Sequence, residues 1–430
     1  MRSTTFVIFQ ALTLGALAAP APKDTPKFDY HKGLSREQEG HKLVPGGMAP
    51  EVQVLKPLFN GEFAPNTKRV KIRYGKYSLP KVSATTLSSM LTGEQGTINT
   101  VTMGMKKPCT DECGIITMQA GLEYANGSLA EPTNGGWLHH IVMVASGAGR
   151  KDAICGMPIE RFFSSGNEKT PTAFGDVIEN KVKSVFQITK SDSFSAELEL
   201  MNMIDTPLDV WITIEYEYIE GPKPADFLSA KALWLDVTNC GASSVRPPAG
   251  KMQFKLASKK WTSAYDGQML GVGGHLHDGG TNVNIYLNDQ VMCNSKAEYE
   301  GGMGDMGAAP SPAPASPAPA SPAPASPASA SPAPANPASA NPASANPAPA
   351  KGMEGMAGMK DMVRRDGPHK SGEKHIKQMS TCSALGPMKK GDSVYIDANY
   401  DFQKFAGMKS NKGSYSDVMG IAILYVAVKT

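Results

Sequence analysis

Residues 210–216 read Val-Trp-Ile-Thr-Ile-Glu-Tyr and show most clearly the pattern that decides the fold. The segment is short, rich in β-branched and aromatic residues and bounded by turn-forming residues, which is typical of a β-strand. Similar runs recur from about Val52 onward, whereas long amphipathic helices are hard to find. The clearest of these runs are 115–118, 184–189, 283–287 and 394–396. The sequence therefore predicts an all-β protein made of antiparallel β-sandwiches.

A polar, proline-bearing segment at 220–224 divides the predicted strands into two groups. We therefore expect a first β-sandwich domain over 49–221 and a second over 222–430. The second is interrupted at 300–375 by a low-complexity insertion, whose Pro/Ala/Ser repeats cannot form a packed core. A linker to a third domain is the less favoured alternative, because the roughly 55 residues that follow would make a marginal core.

The start of the chain predicts secretion. Residues 1–18 combine a basic residue, a short apolar run and small residues at the expected cleavage site, as in a signal peptide, and 19–48 then form an N-terminal extension. No later run approaches the roughly 20 apolar residues of a membrane-spanning helix. The charge balance, 43 basic against 40 acidic residues, disfavours nucleic-acid binding. We therefore expect an extracellular or cell-wall protein with no membrane span.

An even number of cysteines in an exported protein favours disulfides over a metal cluster, although the pairing cannot be read from the sequence. The six are Cys109, Cys113, Cys155, Cys240, Cys293 and Cys382. The sequence Asn126-Gly127-Ser128 predicts a glycan acceptor at Asn126.

Four of the eight histidines form two tight pairs. Residues two apart on a strand face the same side, so His275 and His277 can offer two imidazoles to one metal ion. His139 and His140 are adjacent and would face opposite sides of a regular strand, so joint ligation requires a bulge, a strand end or different ring nitrogens. The alternatives are a buried strand with hydrogen-bonded histidines and a glycine-flanked turn. The occurrence of two such pairs favours at least one metal site.

The remaining histidines lie in polar segments, where solvation is the expected role. They are His31, His41, His369 and His375. The long insertion nevertheless gives His369 or His375 the reach to fold back onto a site.

Methionines at three-residue spacing flank the Pro/Ala/Ser repeat. Thioether sulfur prefers Cu(I), so these segments are candidate copper-collecting arms, the alternative being plain Gly/Met low complexity. The methionines are Met303, Met306, Met353, Met356, Met359 and Met362. The repeat itself resembles a cell-wall spacer.

The order His-His, His-x-His and the segment 416–425, Ser-Asp-Val-Met-Gly-Ile-Ala-Ile-Leu-Tyr, resembles the copper type II, ascorbate-dependent monooxygenases, the family of peptidylglycine α-hydroxylating and dopamine β-monooxygenases. The Gly-His-Leu-His-Asp-Gly-Gly motif at 274–280 is also similar to a secreted fungal branch related to stress up-regulated Nod 19 proteins. The family resemblance implies two jelly-roll β-sandwich domains with one copper ion on each.

This resemblance also implies roles for individual residues. His275, His277 and Met419 would hold the second-domain copper, which activates O2. His139 and His140 would hold the first-domain copper, which passes an electron from ascorbate or another reductant.

Three departures from the family pattern bear on function. No histidine lies between His140 and His275, so Met201 or Met203 on the equivalent strand is expected to replace the third imidazole of the first site. Gly273 stands where the peptide-amidating members carry the arginine that holds the substrate carboxylate. Ile421 and Ile423 stand in place of an asparagine and a tyrosine. These changes disfavour peptide amidation and favour a less polar, small substrate.

Three hypotheses of different class follow from the sequence. The first is a secreted copper monooxygenase that uses O2 and a reductant, and the second is a copper-binding or buffering protein without turnover. Both require one or two copper ions. The third is a cell-wall structural module, which needs no metal.

Overall fold

The computed structural model describes residues 51–61, 63–301, 374–410 and 413–429. Within these ranges the regular secondary structure is almost entirely strand, with one short helix, α1 (Leu87–Thr92), and one 3-10 turn at Pro132–Asn134. The predicted all-β class is therefore confirmed. The predicted signal peptide, the N-terminal extension, the Pro/Ala/Ser repeat and the six spaced methionines lie outside the described residues.

The strands fall into two groups along the chain. The first strand group comprises β1 (Val52–Leu55), β2 (Lys68–Leu79), β3 (Thr97–Met105), β4 (Cys113–Tyr124), β5 (Gly136–Ser146), β6 (Glu160–Gly166), β7 (Thr172–Ala173), β8 (Ser184–Ile188), β9 (Ser193–Asn202) and β10 (Leu208–Glu220). The second strand group comprises β11 (Leu228–Asp236), β12 (Ser244–Val245), β13 (Gln253–Ala257), β14 (Trp261–Thr262), β15 (Gly267–Leu276), β16 (Gly280–Leu287), β17 (Gln290–Gly301), β18 (Lys374–Met379), β19 (Thr381–Met388), β20 (Ser393–Asp401) and β21 (Val418–Val428). All five runs that the sequence singled out lie in strands, except that Thr189 follows the end of β8.

Three sheets are built from these strands. A long sheet runs β1-β2-β10-β4-β8-β11-β21-β15-β19, with β7 and β12 attached to it. A four-stranded sheet, β3-β9-β5-β6, packs against the first part of the long sheet, and a six-stranded sheet, β13-β20-β16-β17-β18 with β14, packs against its second part. The proline-bearing segment 220–224 lies between β10 and β11. The long sheet continues across it, because β8 and β11 pair in parallel.

Strand β21 shows how the two parts are joined, since all eleven of its residues are buried. Alternate side chains of a strand point to opposite faces. Accordingly, Met419, Ile421, Ile423 and Tyr425 pack in the core of the first strand group, whereas Ala422 and Leu424 pack in the core of the second. One strand thus belongs to both hydrophobic cores.

The long insertion starts and ends on neighbouring strands. β17 ends at Gly301, β18 begins at Lys374, and the two pair antiparallel. Lys374 and His375, the last two residues of the predicted insertion (300–375), belong to β18.

The prediction that the cysteines form disulfides is confirmed. The pairs are Cys109–Cys113, Cys155–Cys240 and Cys293–Cys382. Cys155–Cys240 links a loop of the first strand group to the loop after β11, so it ties the two groups together covalently. Among the described residues, no helix is long and apolar enough to span a bilayer.

Candidate metal centre

A β-bulge places both adjacent histidines on one side of β5. The register of β5 against β9 is regular up to Leu138, which pairs with Leu200, and then shifts so that His140 pairs with Glu199. The extra residue is His139. A bulge turns consecutive side chains away from strict alternation. One of the three arrangements that the sequence required for joint ligation is therefore present.

Glu199 lies against both imidazoles. Its Oε2 atom is 3.3 Å from Nδ1 of His139 and 3.3 Å from Nδ1 of His140. Glu94 lies close by, and Glu94, His139 and Glu199 each offer a ligand atom within 4.8 Å of the others. Two carboxylates, from Glu94 and Glu199, therefore lie beside the two histidines of the buried bulge.

The second histidine pair is presented by β15 and the turn that follows it. Residues of β15 pair with β21 so that Gly273 lies beside Ile423 and His275 beside Ile421, with His277 just beyond the strand end. Side chains of paired residues lie on the same face of a sheet. This face carries the side chains of β21 that pack toward the first strand group, and it therefore points toward the bulge of β5.

Both histidines of this pair are anchored through one ring nitrogen. Nδ1 of His275 lies 3.1 Å from Oε1 of Glu168, and Nδ1 of His277 lies 2.8 Å from the backbone oxygen of Asp417. A carbonyl oxygen only accepts, so Nδ1 of His277 is the donor and its Nε2 keeps a lone pair. Nε2 of each ring is buried and has no hydrogen-bond partner among the described residues. Histidines that bind metals show this anchoring of the other nitrogen by a carboxylate or carbonyl.

The two pairs meet in one group, here called the histidine cluster (His139, His140, His275 and His277). Ring centroids of His139 and His277 are 4.8 Å apart, and those of His140 and His275 are 6.4 Å apart. His139, His140 and His277 each place a ring nitrogen within 4.8 Å of the others. The buried, unpartnered nitrogens and the spacing together fit a metal ion with imidazole ligands.

Burial and charge set the protonation of the cluster. Burial raises the pKa of Glu94 to about 7, and the neighbouring Glu199 adds to this effect. Burial alone would lower the pKa of His139, but Glu199 and Glu94 outweigh it and raise this pKa to about 9. Burial lowers the pKa of His140 to about 4 and that of His277 well below its usual value, and neighbouring histidines contribute. His140 and His277 are therefore neutral at pH 7, the form that binds metals.

Met419 lies beside the cluster on β21, and its side chain is buried. Tyr400 connects it to His277, because the Tyr400 hydroxyl donates to the backbone oxygen of Met419 and accepts from the backbone nitrogen of His277. Met419, His277, Glu199 and Glu94 all line one cavity of about 850 Å³, called the large cavity below.

A second, smaller space adjoins His275. This slot of about 60 Å³ exists because Gly271 and Gly273 have no side chains opposite Tyr425 and Ile423. A Cβ atom on Gly273 would come within 3.1 Å of the Thr381 side chain. The glycine and isoleucine positions that depart from the family pattern thus combine into an apolar slot beside a histidine.

The expectation that His375 is solvated is wrong. His375 is buried in β18, its Nδ1 lies 2.6 Å from Oδ2 of Asp278, and its ring lies 4.7 Å from that of Trp137. Asp278 also accepts the backbone N–H of Ile376. Charged and polar neighbours in the sequence suggested a loop, but Asp278 and Trp137 provide a buried partner and an aromatic wall.

Other sequence-predicted residues have clear positions. Met201 is buried on β9, two residues after Glu199, and pairs with Trp137 of β5. On this strand, it is Glu199 whose side chain lies against both His139 and His140. The role of Met201 in a first copper site stays a prediction. Asn126 lies exposed in the turn after β4, where its side-chain oxygen accepts hydrogen bonds from Ser128, and its glycosylation stays a prediction.

This chain is similar to two proteins named as probable copper-dependent oxygenases. It is 27% identical over 362 residues to the "Probable copper-dependent oxygenase M1" of Phoma sp., which covers 84% of this chain and 72% of that protein. It is 27% identical over 315 residues to the "Probable copper-dependent oxygenase clz3" of Cochliobolus lunatus, which covers 73% of this chain and 79% of that protein. No family model matches the chain.

Proposed function

We propose that this protein is a secreted, copper-dependent monooxygenase whose copper is held by His139, His140 and His277, with His275 and Met419 beside it. The observation that carries the proposal is the meeting of three ring nitrogens within 4.8 Å from opposite strand groups. Imidazole nitrogen and thioether sulfur together suit copper in both of its common oxidation states. The similarity to the two named oxygenases supports the choice of metal and of reaction class.

This assignment differs from the two separate copper ions that the family resemblance implies. The histidine pair of β5 and the histidine pair that begins on β15 would each bind a separate copper ion if the two pairs lay far apart. Here the ring centroids of His139 and His277 are only 4.8 Å apart, which favours one shared centre. The remaining donors, His275 and Met419, are then available to a second ion or to a change of ligand at the same ion.

When bound, copper would supply the reduction of O2 by an external reductant such as ascorbate and the insertion of one oxygen atom into a substrate C–H bond. The chain's own residues prepare the site. Glu168 fixes the ring of His275, and the Asp417 carbonyl fixes the tautomer of His277. Glu94, whose pKa is raised to about 7, holds a proton beside Glu199 that it can exchange near neutral pH.

The slot beside His275 supports an apolar substrate group. Its walls include Ile421 and Ile423, and among its described lining residues there is no arginine or lysine to hold a carboxylate as in the peptide-amidating enzymes. A slot of about 60 Å³ holds a methyl or methylene group, not a whole substrate. The remainder of the substrate would extend away from His275.

Ascorbate-driven O2 consumption by the copper-loaded protein tests the reaction class. We expect consumption that a His277→Ala variant loses, while an exposed control, Lys260→Ala, keeps it. Copper binding without O2 consumption over a panel of apolar small molecules would favour the copper-buffering alternative. Absence of copper binding would leave the structural, cell-wall hypothesis.

A further inference from the structure

We propose that the large cavity is the loading route by which Cu(I) reaches the histidine cluster, with Met90 and Met252 as transient ligands on the way to Met419 and His277. This inference rests on the proposed function, because it requires copper to bind at the cluster. The large cavity extends well beyond the histidine cluster that it reaches.

Three methionines line the cavity at different depths. Met90 on α1 is 60% exposed, Met252 ahead of β13 is half-buried, and Met419 is 7% exposed beside His277. The Sδ atom of Met252 accepts a hydrogen bond from the Tyr415 hydroxyl at 3.7 Å, and Tyr415 also lines the cavity. The Met252 sulfur is therefore held at the cavity wall. Together the side chains provide a thioether at the opening, one on the wall and one at the inner end.

The chemistry of this lining selects Cu(I). Thioether sulfur is neutral and soft, so it binds Cu(I) and discriminates against hard divalent cations. Glu199, which is buried, lines the same cavity and attracts a cation toward its inner end. Arg246 and Lys251 also line it, but both are exposed, so solvent weakens their repulsion.

Transfer along this route is ligand exchange without a change of oxidation state. At each step a Cu–S bond to one methionine breaks as a bond to the next ligand forms, and copper remains Cu(I). At His277 no proton has to leave the accepting atom, because Nδ1–H is donated to Asp417 and Nε2 carries the lone pair.

The test separates the rate of loading from the final affinity. The full-length protein is mixed with Cu(I)–bicinchoninate under anaerobic conditions, and the loss of the chelator complex is followed by stopped-flow absorbance. In the Met90→Leu/Met252→Leu double variant, we expect loading to the cluster to slow by about tenfold or more, whereas final occupancy and Cu(I) Kd stay within twofold of wild type. Met103→Leu is the matched control, because Met103 is an exposed methionine outside the cavity lining.

The outcomes distinguish this inference from the proposed function. An unchanged loading rate in the double variant overturns the route, even where copper still binds the cluster normally. A parallel loss of rate and of final occupancy also overturns it, because Met90 and Met252 would then be permanent ligands. If wild-type uptake of Cu(I) does not differ from that of His277→Ala, the proposed function itself fails.

Discussion

The imidazole rings of His139 and His277 lie 4.8 Å apart, centroid to centroid, and are tilted by 39° to each other. His139 is the bulge residue of β5 in the first strand group, and His277 follows β15 in the second. Their contact therefore depends on the packing of the two groups across the long sheet, and a metal ion bound to both would join the groups at a third point besides the shared sheet and the Cys155–Cys240 disulfide.

Glu199→Gln is expected to weaken copper binding. The carboxylate lies 3.3 Å from Nδ1 of both His139 and His140, and the loss of such a partner behind a ligand typically lowers metal affinity by about 10- to 100-fold. Competition titration with a copper chelator measures the change. Glu197→Gln is the control, because Glu197 is exposed on the same strand. Equal affinities for wild type and Glu199→Gln would show that this carboxylate does not support the ligands.

We expect the unfolding free energy of the Asp192→Asn variant to change less with pH in the acidic range than that of the wild type. Burial tends to raise the pKa of Asp192, but hydrogen bonds from Arg150 and Thr189 outweigh it and lower this pKa. Stability from a group with a lowered folded pKa is fully present above its unfolded pKa, about 3.9, and is lost as pH falls through the folded value. Urea unfolding at pH 7 should show a loss of about 2 kcal/mol in the variant, because the charged hydrogen bonds from Arg150 to the carboxylate are lost, whereas Arg150 keeps its pair with Glu160.

As the pH falls below about 5, the wild type should lose more unfolding free energy than Asp192→Asn, so the two curves converge. Asp111→Asn provides the control, because its pair with Lys190 is exposed. Parallel curves for wild type and Asp192→Asn would contradict the assignment.

Xenon is expected to bind in the slot beside His275. It favours small apolar cavities, and the slot offers about 60 Å³ between glycine backbone and isoleucine side chains. Crystals pressurised with xenon should show a peak next to Ile423 in wild type and in Ile423→Val, and none there in Ile423→Phe, whose ring fills the space. An empty slot in wild type, or a peak that persists in Ile423→Phe, would argue against an apolar pocket at this position.

Most of the fold could be predicted from local sequence, because strands such as β10 carry β-branched and aromatic residues that fit a pleated, buried surface. The continuity of the long sheet could not be predicted in this way. It depends on the parallel pairing of Leu228 with Ser184, a contact between segments that no local pattern marks. For the same reason, local sequence does not show that β21 contributes side chains to both hydrophobic cores.

The candidate site was only partly predictable. Two histidine pairs and Met419 stand out by spacing and motif, but Glu199 and Glu168 look like ordinary acidic residues until the fold buries them against His139 and His275. A weak signal in the sequence is that Glu199 stands between Leu198 and Leu200 in a strand-like run. The bulge at His139 is one of the three arrangements that would allow joint ligation with His140, but nothing in the residues around it fixes its position.

Cu(II) EPR combined with metal analysis of the full-length protein, in wild type, His139→Ala and His277→Ala, shows whether histidines from both strand groups share one copper centre. We expect one nitrogen-coupled Cu(II) signal in wild type, which each of the two substitutions alters or abolishes. Two independent signals, one lost in His139→Ala and the other in His277→Ala, would contradict it.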